Sequence, residues 1–301
     1  MKRSTKIWLT AAIILTLLGG ATFVTALSVL DWNFEGLSTV QYVTTTYELQ
    51  GDFDKISIDV DITKIEFEPS KDDTCSIACF EMENSRHSAT VKDGTLVINT
   101  ADTCKWYDYI GIFSFKTPKL TLFLPQKEYQ ALLIETDTGD ITIPGDFTFQ
   151  SIEIEGDTAD INIYASVPDT LNLELSTGDI TIGSARAGSI ELNTSTGDVT
   201  LKNGNVKGLI VNTDTGDVML SSAIVEKGVD INTSTGDVTF DGCDAPDITV
   251  NTDTGDVTGT LLSEKIFSAE SDTGRISLPN TTTGGICEIN TDTGDIKLDI
   301  K

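Results

Sequence analysis

Eight aspartates recur at one phase of this 301-residue chain: Asp140, Asp160, Asp179, Asp198, Asp217, Asp237, Asp256 and Asp295. Each follows a glycine, or Ala159 in one case, and Arg275 fills the one remaining slot. If the copies stack in register, neighbouring carboxylates sit roughly 5 Å apart, which costs around 0.9 kcal/mol per adjacent pair in a water-like dielectric. Two chemistries would offset that cost. One is a calcium ladder on these eight residues, helped by Asp137, Asp157, Asp214, Asp253, Asp272 and Asp292 two positions before the marker. Calcium takes about six to eight oxygen ligands. The phrase departs from the Gly-Gly-x-Gly-x-Asp calcium repeat, and Ser176, Ser195 and Ser234 stand where that ladder wants Asp. The other chemistry is local: each carboxylate accepts a backbone N–H at its turn, and Arg275 interrupts the row.

The row exists because one phrase repeats. It reads Asp137-Thr138-Gly139-Asp140, then Ser176-Thr177-Gly178-Asp179, and so on to Asp292-Thr293-Gly294-Asp295. The markers fall at 139, 159, 178, 197, 216, 236, 255, 274 and 294, so every spacing is 19 or 20 residues. A fixed period of this size means stacked repeats that bury their apolar faces against one another. The flanks alternate with period two, as in Leu171-Asn172-Leu173-Glu174-Leu175 before the phrase and Ile180-Thr181-Ile182 after it. That is strand patterning, with Gly-Asp marking the corner. The expected fold is all-β: a parallel β-helix of about nine regular coils plus irregular N-terminal coils, preceded by one transmembrane helix.

That helix is read from the front of the chain. Lys2, Arg3 and Lys6 precede an uncharged run from Ile7 to Leu30, long enough to span a bilayer. The basic flank predicts a cytoplasmic N-terminus with the bulk of the chain outside the cell membrane. Val24-Thr25-Ala26 also resembles a signal-peptide processing site, so a cleaved leader is the alternative. The expected organisation is a tail at 1–6, an anchor at 7–30, a polar spacer at 31–45, irregular β coils and a cap at 46–130, and the regular solenoid at 131–301. Residues 46–130 hold most of the aromatics, including Trp106, Tyr107 and Tyr109.

The serial Thr-Gly-Asp strands, the Leu124-Pro125 that closes an alternating run, and the single N-terminal anchor together resemble the bacterial "putative adhesin" family of LiaG-like β-solenoid domains. The resemblance covers roughly residues 46–301. It implies a parallel β-solenoid outside the membrane and supplies no catalytic residues.

Composition narrows the function classes. The net charge is −27, and residues 131–301 carry 30 acidic against 8 basic side chains. Such a surface repels nucleic acid and favours cations or basic partners. Within 131–301 there is no His or Trp, and the aspartates are equivalent by repetition, so no catalytic pair stands out and the chain reads as a non-enzyme. The single histidine, His87, sits in the polar run Glu83-Asn84-Ser85-Arg86-His87 and reads as a solvated turn. Among five cysteines, Cys104 could bridge to Cys75 or Cys79 in an oxidising compartment, or all could be small buried apolar residues. The expected partner is an envelope or surface protein. Self-association is the further expectation, because the last strand, Ile296 to Ile300, reads as an exposed β edge.

Overall fold

A computed structural model describes residues 3–29, 31–32, 40–72, 74–102, 116–183 and 186–301. Cys104, Trp106, Tyr107 and Tyr109 lie outside the described residues. An α-helix covers Arg3–Val29, and its segment Trp8–Val29, with a mean hydropathy of 2.1, is long and apolar enough to cross a bilayer.

The rest is a β-solenoid. Each regular coil supplies a long strand and a short one joined at the Thr-Gly-Asp corner, as in Asn205–Thr215 followed by Val218–Ser221. Long strands pair with long strands and short with short, all parallel. Alternation decides what is inside. Leu209, Val211 and Thr213 are buried, while Ile210 and Asp214 face out. Register turns this into columns, one of which runs Leu132, Ile152, Leu171, Ile190, Leu209, Val229, Ile248 and Cys287. Cys287 therefore takes the place of an aliphatic side chain, and Cys243 is likewise buried. Cys75 and Cys79 are free buried thiols.

The corner explains the glycine. Gly216 has φ +153°, and a Cβ there would lie 2.0 Å from the carbonyl oxygen of Gly197 directly beneath it. Gly197 stands in the same relation to Gly178, again at 2.0 Å. The coils touch backbone to backbone at this edge, and a side chain on these glycines would hold them apart; the one coil with Ala159 at the marker takes its methyl without a positive φ.

Stacking order departs from chain order at both ends. The coil made of Lys55–Ile62 and Lys64–Pro69 lies between Thr95–Asp102/Lys119–Leu124 on one side and Glu128–Thr138/Ile141–Ile143 on the other. Antiparallel strands close this end: Tyr42–Leu49 on Cys75–Met82, Cys75–Met82 on Lys119–Leu124, and Ser85–Lys92 on Thr95–Asp102. His87 belongs to Ser85–Lys92 and is 4% exposed, so the expectation of a solvated turn is corrected. Strand alternation carries it inward. Beside the closed end, Tyr129 stacks on Phe149 at 5.4 Å and fills the first regular coil.

At the other end the final coil, Gly285–Thr293 with Ile296–Ile300, pairs with Asp247–Thr254 and Val257–Leu261. The preceding coil, Lys265–Thr273 with Ile276–Ser277, packs outside it. Ile296 and Lys297 are thus paired on both sides, residues 298–300 keep one open side, and the outermost coil is the one carrying Arg275. The reason is visible in the patterning: Ile266 and Ile276 face solvent, and the half-buried Phe267, Ala269 and Leu278 pack against the core.

Candidate functional site

The predicted aspartates do form a row, and its hydrogen bonding is regular. The backbone N–H of Asp179 donates to Asp160 Oδ1, and Asp198, Asp217, Asp237 and Asp256 each donate to the aspartate one coil before, at 2.8–2.9 Å. Asp295 donates to Asp256 at 2.7 Å, and Arg275 donates to Asp295 at 2.8 Å. The carboxylates thereby bind the coils to one another. Asp140 occupies the first slot, and by extension of the Ile65–Ile141 register Lys64 stands before it.

Arg275 therefore ends the row, where the sequence suggested an interruption between Asp256 and Asp295. Its guanidinium reaches Asp295 Oδ2 at 3.2 Å. The Arg275 backbone N–H, followed by that guanidinium, holds the Asp295 carboxyl below the usual carboxylate range. Lys64 at the opposite end pairs with Glu66 at 3.4 Å, and Lys119 reaches the same carboxyl at 2.6 Å. A cation bounds the row on either side.

A second ladder was not anticipated. The side-chain amides of Asn193, Asn212, Asn232, Asn251 and Asn290 form a chain of N–H···O bonds from coil to coil, at 2.8–3.1 Å. The signal was present in the recurring Asn-Thr dipeptide just before the phrase. In the coils of Glu128–Thr138, Thr148–Thr158 and Val167–Thr177, the same position holds Glu135, Glu155 and Glu174. These glutamates are exposed, and two residues on lie the exposed Asp137 and Asp157.

The two columns flank an open groove of about 420 Å³ whose walls are Glu135, Glu155 and Glu174 on one side and Asp137, Asp157, Ser176 and Ser195 on the other. It continues along the rod as a groove of about 370 Å³ between the Asn ladder and Ser195, Asp214 and Ser234. One end is strongly acidic and the other neutral and amide-rich. Nothing in the acid section neutralises these side chains within the chain: among the described residues, no salt bridge involves Glu135, Glu155, Glu174, Asp137 or Asp157.

This arrangement of short parallel coils has a counterpart among known families. The Toastrack DUF4097 profile matches residues 53–241 and 188–301, which together take in all of the stacked coils. The chain belongs to the Toastrack DUF4097 family. No curated protein matches. Among solved structures, this Toastrack chain is similar to a "putative adhesin" from Bacteroides fragilis, at 17% identity and a TM-score of 0.49, over 86% of this chain and 97% of that one. It is similar to another so titled from Parabacteroides merdae, at 11% identity and a TM-score of 0.47, over 87% and 98%. A third, from Parabacteroides distasonis, is 14% identical with a TM-score of 0.47, over 86% and 98%. The Toastrack fold is a β-solenoid, as the stacked coils here are.

Proposed function

We propose that this protein is a non-enzymatic, membrane-anchored Toastrack rod that presents its acidic groove outside the membrane to a basic partner in the cell envelope. The observation that carries this reading is the groove over Glu135, Glu155, Glu174, Asp137 and Asp157: five exposed carboxylates on three adjacent coils, held in fixed register by the strands beneath. A rigid array of like charge raises the local concentration of cations and steers basic surfaces toward it, with strong dependence on salt. The basic flank at Lys2, Arg3 and Lys6 supports a cytoplasmic N-terminus and an external rod.

Titration of the full chain in detergent with a lysine-rich peptide tests the proposal. Binding that weakens with salt, and that is lost in Glu135→Gln/Glu155→Gln/Glu174→Gln, is the expected result. Equal binding by the variant would remove the groove from the account.

Calcium is a second reading, favoured by the way the aspartate row engages Oδ1 in its coil-to-coil bonds and keeps a second oxygen on each exposed carboxylate. Calcium at 100 times its dissociation constant would stabilise the rod by about 2.7 kcal/mol. Thermal unfolding with calcium and with chelator measures this directly: coincident curves would discard the reading.

A further inference from the structure

Inside the N-terminal cap, away from both grooves, three side chains of different chemistry converge. Cys79 and Glu81 alternate inward along Cys75–Met82, and His87 turns inward from Ser85–Lys92. Both strands pair with the first coil of the stack, Thr95–Asp102 with Lys119–Leu124, so the three meet where the apolar interior ends. Cys79 and Glu81 are 0% exposed and His87 is 4% exposed. The thiol, a carboxylate oxygen and an imidazole nitrogen all lie within 4.8 Å of one another.

The surroundings orient each group. His87 Nδ1 is 2.9 Å from Glu81 Oε2, and Nε2 is 3.1 Å from Thr63 Oγ1. Glu81 Oε2 also accepts the backbone N–H of His87 at 2.7 Å, and Oε1 accepts Thr45 Oγ1–H at 2.6 Å. Tyr47 donates its hydroxyl to the His87 carbonyl at 2.6 Å, fixing that strand from behind. Burial, reinforced by the adjacent Glu81, pushes the Cys79 thiol up to about 12.

We propose that Cys79, Glu81 and His87 bind one divalent cation of the zinc class, with Thr63 orienting the imidazole. Sulfur, nitrogen and oxygen donors in a dry site suit zinc and its neighbours, whereas calcium and magnesium are served by oxygen alone. Three protein ligands leave the fourth tetrahedral position for water or an outside donor. The hydroxyl of Thr63 both donates and accepts. Without an ion, Nδ1–H donates to the Glu81 carboxylate and Thr63 Oγ1–H donates to Nε2; with an ion bound, the ring proton moves to Nε2 and Thr63 Oγ1 accepts it, freeing the Nδ1 lone pair for the ion. Binding then displaces the thiol proton to solvent, and a metal–sulfur bond replaces S–H. A small cavity of about 40 Å³, lined by Asp61, Thr63, Ser85 and His87, adjoins the imidazole, and the exposed Asp61 marks its mouth. An ion held here would tie the two cap strands together against the first coil.

The test is cobalt titration of the full chain in detergent after metal has been stripped with chelator. One equivalent of Co²⁺ should bind, develop a thiolate-to-cobalt charge-transfer band, and be displaced by Zn²⁺. Cys79→Ser should lose the band and weaken binding about 100-fold or more, with its circular dichroism unchanged; Cys79→Ala serves if serine disturbs the fold. Thr63→Val should keep the band and weaken binding about 10–100-fold. Absence of saturable binding, absence of a thiolate band, or a band that persists in the Cys79 variants would overturn the site. Unchanged affinity in Thr63→Val would overturn the role given to Thr63.

Discussion

Asp295 donates its backbone N–H to Asp256 Oδ1 at 2.7 Å, although 39 residues separate them, and Arg275, between them in sequence, follows Asp295 in space. The last two coils are exchanged. The exchange brings the cation to the end of the carboxylate row, where one aspartate would otherwise face solvent without a following N–H donor.

Removing that cation has a titration consequence. The Asp295 carboxyl is held below the ordinary range first by the Arg275 N–H and then by its guanidinium. In Arg275→Ala the N–H remains and the charge is gone, so the Asp295 titration midpoint should rise part of the way toward the ordinary value. A folded-state pKa that is depressed contributes stability above the unfolded value and loses it as pH falls through the folded one. The variant should therefore lose stability relative to the parent near neutral pH, and the difference should vanish in strong acid. Carboxyl-detected NMR follows the midpoint, and melts across pH follow the difference.

Gly216→Ala should be among the most damaging single substitutions in the rod. The new Cβ would lie 2.0 Å from the Gly197 carbonyl oxygen, at a backbone φ of +153°. A cost of about 2–4 kcal/mol is expected from the separation of two coils and the strained dihedral. Gly208 lies on a long strand, and a Cβ added there would meet nothing within 4 Å, so Gly208→Ala should be neutral or slightly stabilising. Urea unfolding of both variants makes the comparison.

Asn232 accepts an amide hydrogen from Asn251 and donates one to Asn212, at 2.9 and 3.0 Å. Asn232→Ala breaks both bonds and should cost about 1–2 kcal/mol. Asn232→Asp should cost at least as much near neutral pH, since an acceptor-only carboxylate cannot donate to Asn212. Acidification should narrow the gap between Asn232→Asp and the parent, which a melt at two pH values will reveal.

Periodicity made the regular coils legible: the 19–20-residue spacing, the inward alternation and the glycine corners follow from the residues alone. The Asp row was legible as carboxylates that accept backbone N–H bonds, but the donors differ from the expectation: they belong to the next coil rather than to each residue's own turn. Stack order was not, because a period says which segments are equivalent and leaves open which neighbour each one pairs with. A clue existed in Glu270-Ser271, which breaks the Asn-Thr pattern that Asn290-Thr291 restores. The Asn290 amide can continue the ladder from Asn251, whereas Glu270 cannot donate. His87 eludes a sequence reading for a related reason. Its strand sets the all-polar Arg86, Ser88, Thr90 and Lys92 against a face on which only Ala89 and Val91 are apolar, and the pairing of Ser85–Lys92 with Thr95–Asp102 turns that second face inward.

The central claim, that an anchored rod is displayed outside the membrane, is tested most directly by adding protease to intact cells carrying the full chain with an epitope tag after Lys301. The account predicts that the tag is lost without lysis while an epitope placed before Met1 survives. A C-terminal tag that disappears only after lysis would contradict it.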